Sequence, residues 1–251
     1  MRIFVGSDFH VDYRENLLWF EQLSEQDYQH DILLVVGDVA NDMPLFSYVM
    51  SLLADRFSKV LYVPGNHDVW IKRSNGGTSF EKLQAIKSLC ADLNIGMEAY
   101  SCGDTLIMPL MGWYDYSFGT PGQMLRNAWM DYRRCDWEGL SDAEVSALFD
   151  AENRLPDTTG FKSILSFSHF LPRIDLMPAR MPEKYHFLYP VLGTSRLEAH
   201  IRALGSHTHF YGHSHLNRQV VKDGVTYINN AFGYPSERDI AARMLMHVGD
   251  I

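Results

Sequence analysis

Five short apolar runs in this chain each break off at side chains that carry lone pairs. Ile3-Phe4-Val5 leads into Gly6-Ser7-Asp8-Phe9-His10, and the run 32–36 leads into Gly37-Asp38. Val60-Leu61-Tyr62-Val63 passes through Pro64 into Gly65-Asn66-His67-Asp68. Ile164-Leu165-Ser166-Phe167 ends at Ser168-His169, and Phe210-Tyr211 ends at Gly212-His213-Ser214-His215. A turn needs only Gly, Asn or Asp, so amide, imidazole and carboxylate packed together exceed what turning the chain requires. Strands that deliver such groups at the carboxyl edge of an α/β sheet place them around one crevice, where such folds bind ligands.

Between these runs the pattern alternates. Tyr13, Leu17 and Phe20 predict a helix over about 13–28, and the wholly apolar strand 32–36 suits a sheet covered on both faces. Pro44 fits the first turn of a helix over about 44–57, with strand 59–63 following. A polar loop over 73–78 leads to Thr78, which with Glu81 makes a capping box for a helix whose core face is Phe80, Leu83, Ile86, Cys90 and Leu93. Strands are expected at 96–100 and 105–111, helices at about 121–134 and 141–152, and a strand at 165–167. A Pro-rich excursion over 171–190, a helix near 194–203 and strands at 207–211, 219–222, 225–228 and 242–248 complete the chain. No linker, repeat or low-complexity run divides it, so the 251 residues are read as one domain.

Composition excludes some partners. With 22 basic and 31 acidic residues the formal charge is −9, and no basic cluster exceeds Arg133-Arg134, so extended nucleic acid is not expected. No apolar run approaches the roughly 20 residues of a membrane span, so no membrane is expected. The first strand begins at Arg2-Ile3 without room for a signal peptide, and Cys90, Cys102 and Cys135 show no CxxC spacing; a reducing cytoplasm is expected.

In their order and context, Asp8-x-His10, Gly37-Asp38, Gly65-Asn66-His67-Asp68, His169 and Gly212-His213-Ser214-His215 resemble the motifs of the calcineurin-like metallophosphoesterases, over roughly residues 3 to 230. The resemblance implies a four-layer α/β/β/α sandwich, two mixed sheets flanked by helices. It also implies two transition-metal ions that hydrolyse phosphate esters through a bridging hydroxide. Two cations roughly 3.5 to 4 Å apart deprotonate a bridging water and neutralise the phosphoryl oxygens. Holding them that close requires a bridging anion, and Asp38, alone at its strand end, is assigned to it. Asp8 and His10, two residues apart, can reach one metal together, and the resemblance adds His215 there; Asn66, His169 and His213 complete the second site. Imidazole, carboxylate and amide together suit Mn, Fe or Zn rather than an all-oxygen Mg²⁺ or Ca²⁺ site. The resemblance makes His67 the group that contacts phosphate and protonates the leaving alkoxide, with Asp68 orienting its ring and holding it protonated.

Asp rather than Glu after Asn66-His67 resembles the cyclic-nucleotide and glycerophosphodiester branches, which points to a small phosphodiester as substrate. A phosphomonoesterase or protein phosphatase with the same metals is the alternative, and a non-catalytic scaffold of the same fold stands behind it. His207 and His209, of one strand face, are read as structural. In an aromatic and Arg-containing insert over about 113–160, the Trp/Tyr/Arg-rich part at 113–137 is the candidate substrate wall, with Trp113 and Tyr114 directly after a strand that should end near the site. Asn229-Asn230 and Gly233-Tyr234-Pro235 stand where many family members carry Asn-Pro-Gly-Ser.

Overall fold

The computed structural model describes residues 1–72 and 76–251; the loop expected over 73–78 therefore lies partly outside the described residues. Strands β1 (Arg2–Gly6), β2 (Ile32–Val36) and β3 (Lys59–Val63) are parallel neighbours, and β10 (Met246–Asp250) runs antiparallel along the free edge of β1. In the second sheet β5 (Thr105–Pro109), β6 (Ser163–Ser168), β7 (Thr208–Tyr211) and β9 (Val225–Asn229) are parallel, while β4 (Tyr100–Cys102) and β8 (Arg218–Lys222) run antiparallel at its edges, in the order β4-β5-β6-β7-β9-β8.

Side-chain alternation along these strands builds the layers. Ile3, Val5, Ile32, Leu34, Val36, Leu61 and Val63 pack from the first sheet against Ile107, Leu165, Phe167, Phe210 and Ile228 of the second. The intervening residues Phe4, Leu33, Val35, Val60 and Tyr62 face the other way. They meet Phe20 of α1 (Arg14–Glu21), Phe46, Val49 and Leu53 of α2 (Met43–Arg56), and Ile86 and Cys90 of α3 (Ser79–Asp92). On the far side, Tyr211 and Tyr227 share a core with Leu197, Ile201 and Leu204 of α7 (Ser195–Leu204) and with Val145 and Phe149 of α6 (Asp142–Glu152). The architecture is the α/β/β/α sandwich of two mixed sheets. No helix among the described residues is long and apolar enough to cross a membrane.

Several boundaries differ from the sequence reading, each for a local reason. The first helix stops at Glu21, because the Ser24 hydroxyl accepts from the Gln26 and Asp27 amides and turns the chain. Gly96 bonds to the edge of β3 (Tyr62 N–H to Gly96 O 2.8 Å) rather than starting β4, which consequently begins at Tyr100. The helix expected over 121–134 is two, α4 (Gln123–Ala128) and α5 (Asp131–Arg134), broken at Trp129 where ψ is 120°. The last strand begins at Met246 rather than 242, since Asn230 Nδ2 and the Ala231 carbonyl capture the chain at Met244 and Ala242. The capping box of Thr78 and Glu81 is present as expected.

Candidate metal centre

The five strand ends converge at one rim, and the backbone there is unusual. Asp8 (φ 53°), His10 (41°), Asp38 (56°), His213 (66°) and His215 (53°) all occupy the left-handed region. That conformation costs a non-glycine residue about 1–2 kcal/mol and persists where the surroundings over-determine it. Here the loops are cross-bonded: the Asp8 amide donates to Gly37 O (2.9 Å), His10 to Asp38 O (3.0 Å), Gly212 to His169 O (2.9 Å) and Gly233 to Asp8 O (3.0 Å). The strain turns successive side chains inward. Close approach demands glycine at two points: a Cβ on Gly65 would strike the Asp38 carboxylate and amide, and one on Gly37 would strike the His169 ring.

The seven side chains expected as ligands meet in two overlapping groups. Asp8, His10 and His215 form one: His10 Nε2 lies 3.1 Å from His215 Nε2, which lies 3.2 Å from Asp8 Oδ1. In the other, His169 Nε2 is 3.1 Å from His213 Nδ1, 3.2 Å from Asn66 Oδ1 and 3.5 Å from Asp38 Oδ2. Asp38 Oδ2 is also 3.9 Å from His10 Nε2, so one carboxylate oxygen reaches toward both groups. Its Oδ1 accepts from the His67 amide at 2.9 Å.

Hydrogen bonds on the far side of each ring fix which nitrogen is bare. His169 Nδ1 faces the Val36 carbonyl (3.0 Å) and His213 Nε2 faces the Val191 carbonyl (3.1 Å); a carbonyl only accepts, so both nitrogens carry the proton. Burial pushes both imidazoles below their ordinary pKa, which keeps them neutral. His169 Nε2, His213 Nδ1 and Asn66 Oδ1 therefore point bare lone pairs at one another with no proton between them. Such a cluster repels itself unless a cation sits in it, and the donor set fits a transition metal. In the first group His215 Nδ1 bonds Glu237 Oε2 at 2.6 Å.

Burial, and then the neighbouring Asp68 and Asp8 carboxylates, lift Asp38 well above the usual carboxylate range, so its ionised form calls for positive charge nearby. Burial would also lift Asp8, but His215, with His169 and His10, holds it well below that range. Burial opposes protonation of His215, yet Asp8 and Glu237 raise it to about 10.

A family model described as calcineurin-like phosphoesterase matches residues 1–217. The chain belongs to that family. The [acyl-carrier-protein] phosphodiesterase PptH of Mycobacterium tuberculosis is 24% identical over 261 residues, covering 92% of this chain and 77% of that protein. The crystal structure of phosphopantetheinyl hydrolase (PptH) from Mycobacterium tuberculosis superposes with a TM-score of 0.80 at 22% identity, covering 98% of this chain and 95% of that one. This calcineurin-like phosphoesterase is accordingly a hydrolase of phosphoric ester bonds.

Within the phosphoesterase site, two expectations are corrected. Asp68 does not orient the His67 ring. It is buried, with Oδ1 accepting from the Val39 (2.8 Å) and Ala40 (3.1 Å) amides and Oδ2 from the Asp38 (2.8 Å) and Gly65 (2.9 Å) amides and the Tyr62 hydroxyl (2.8 Å). A short 3₁₀ turn at His67–Val69 sends Asp68 under the loop while His67 faces the crevice, and His67 Nδ1 donates to Asn41 Oδ1 at 2.8 Å. Trp70 stacks on the His67 ring at 3.7 Å, and Lys82 Nζ ties the Asn41 and Trp70 carbonyls together at 2.7 Å each. Nor is His67 held protonated: burial, then His215 and His169, push it down to about 3.

The second correction concerns the substrate wall. Trp113 and Tyr114 are fully buried, packed with Trp137, Phe149 and Phe170 in the core rather than facing the site. The insert reaches the rim through Trp129 instead, and Trp70 and Tyr234 stand there with it. Trp129 meets His213 edge-on at 5.7 Å; the Tyr234 ring lies 4.6 Å from His10, with its hydroxyl 3.5 Å from His67 Nε2. Tyr234 occupies the loop that departs from the family's Asn-Pro-Gly-Ser, the one signal that marked it. His209 is buried between the Ser166 and Ser168 hydroxyls, and His207 bonds Ser163 and Thr208; both are structural.

Proposed function

We propose that this chain is a dinuclear metal-dependent phosphodiesterase. The observation that carries the reading is the convergence of bare lone pairs from His169, His213 and Asn66 beside the Asp8, His10 and His215 group, with Asp38 between them. Asp8, His10 and His215 would hold one ion, Asn66, His169 and His213 the other, with Asp38 shared; the donors favour Mn, Fe or Zn. Bound there, the ions would supply Lewis acidity to the phosphoryl oxygens and an activated water.

The remaining work falls to the chain. His67, its Nδ1 proton held by Asn41 and its ring fixed by Trp70, presents Nε2 to the crevice, 4.0 Å from Asp38 Oδ2. From there it would pass a proton to the departing alkoxide. Burial disfavours the His67 imidazolium, so the anionic substrate would have to raise the proton affinity of Nε2, which would take up the proton it then passes on. The Tyr234 hydroxyl borders the same space.

The similarity to PptH over 92% of the chain supports a substrate of its type, a phosphodiester that joins a phosphopantetheinyl group to a carrier protein. Free cysteines at Cys90, Cys102 and Cys135 accord with a cytoplasmic setting.

The test is turnover of bis-p-nitrophenyl phosphate, p-nitrophenyl phosphate and a phosphopantetheinylated carrier protein by Mn²⁺-reconstituted enzyme, alongside His67→Ala. Diester preference is expected, with release of the arm read by intact mass and roughly 10²- to 10⁴-fold loss in the variant, largest for poor leaving groups. Monoester preference would favour the phosphomonoesterase alternative. Inactivity on all three with two ions bound would favour a non-catalytic scaffold.

A further inference from the structure

The amide of Asn66 has two unlike ends, and only the oxygen can ligate a cation. Its Oδ1 points at His169 Nε2 (3.2 Å), while Nδ2 donates to Asp131 Oδ1 at 2.9 Å. A carboxylate accepts and does not donate, so it can face only the NH₂ end. The Asp131 carboxylate thus selects which end of Asn66 enters the crevice.

Asp131 opens α5, inside the insert and away from every family motif, and is 2% exposed. Its remaining bonds reach the same crevice. Trp70 Nε1 donates to Oδ1 at 2.6 Å and Trp129 Nε1 to Oδ2 at 2.7 Å. Trp70 is the indole stacked on His67, and Trp129 the one against His213. One buried carboxylate therefore ties a ligand amide and two rim aromatics to the insert. The break at Trp129, which splits α4 from α5, brings both donor and acceptor to this point.

We infer that Asp131 is a positioning residue of the metal centre, which sets the ligating face of the Asn66 amide. The inference rests on the reading that Asn66, His169 and His213 hold an ion. Through Asp131 the insert locks the second metal subsite.

The experiment is titration of chelator-stripped protein with Mn²⁺, with bound metal counted, for wild type, Asp131→Asn, Asn66→Ala, Asn66→Ala with Asp131→Asn, Asn66→Asp, and Asn66→Asp with Asp131→Asn. An amide at 131 has one oxygen for three donors, so it can hold Asn66 in place only by turning its NH₂ toward the Trp129 indole N–H, and Asp131→Asn should weaken one of the two sites by about 10- to 100-fold and leave the other unchanged. On the Asn66→Ala background the same change should add nothing. Asn66→Asp sets two carboxylates face to face and should lose the second ion. Adding Asp131→Asn restores an amide–carboxylate pair in reversed order and should recover it.

Wild-type protein that takes up no ions overturns the metal-centre reading and this inference with it. Wild type with two ions and Asp131→Asn with the same two affinities overturns this inference alone, as does an undiminished effect of Asp131→Asn without Asn66. Should Asp131→Asn alone fail to fold, the exchanged pair decides: no recovery relative to Asn66→Asp overturns the assignment.

Discussion

Replacing Asp68 by Asn separates two accounts of a residue beside the proposed acid. The carboxylate receives four backbone N–H groups and one hydroxyl, two on Oδ1 and three on Oδ2. An amide presents one oxygen. If its NH₂ takes the place of Oδ1, the Val39 and Ala40 amides lose their acceptor. If it takes the place of Oδ2, the Asp38 and Gly65 amides do, although the Tyr62 hydroxyl can rotate to accept. Either way two buried donors are orphaned, at about 1–3 kcal/mol each, so the expected loss is roughly 2–6 kcal/mol. Two of the four amides belong to Asp38 and Gly65, so the left-handed turn that aims the Asp38 carboxylate should relax and metal affinity should fall as well. Guanidinium chloride unfolding in the presence of a chelator reads the stability term free of metal binding. A variant within about 1 kcal/mol of wild type that loses activity only on poor leaving groups would refute this account and return Asp68 to the role of His67 partner.

Burial pushes His209 down to about 3, against about 6.5 when unfolded, so its contribution is complete above pH 6.5 and is lost as pH falls toward 3. The stability gap between wild type and His209→Gln should therefore shrink by about 2 kcal/mol from pH 7 to pH 5; a constant gap in paired denaturation curves would show that the ring is not held neutral. Tyr234→Phe keeps the ring against His10 but removes the hydroxyl near His67, so metal content should hold while kcat drops by about 3- to 10-fold. An unaltered kcat would place that hydroxyl outside the reaction. Gly65→Ala drives a methyl group into Asp38 and should destabilise the fold by about 1–3 kcal/mol with loss of bound metal, measured by unfolding and elemental analysis.

Asp8, His10, Asp38, Asn66, His169, His213 and His215 were legible as a set because each closely follows an apolar strand, and parallel strands that share a sheet end at a common rim. Their neighbours were not. Nothing near Asp131 in the chain announces that it faces Asn66, 65 residues earlier, and Glu237 and Asn41 are equally anonymous until folding brings them to His215 and His67. Trp113 and Tyr114 follow β5, which made them the foremost candidates of the insert for the crevice wall, yet their side chains fill the core beneath it, whereas Trp129 of the same insert reaches the rim from an unforeseen helix break.

The boundary between the two kinds of knowledge is physical. Strand periodicity and the chemistry of residues two or three positions apart are local properties, so the fold class, the donor atoms and the family can be read along the chain. Which way an imidazole or amide turns depends on acceptors supplied by distant segments. The Val36 and Val191 carbonyls, Asn41 and Asp131 decide the bare nitrogens of His169 and His213, the tautomer of His67 and which end of the Asn66 amide meets His169. Those orientations make a collection of donors a candidate site for cations, and packing alone sets them.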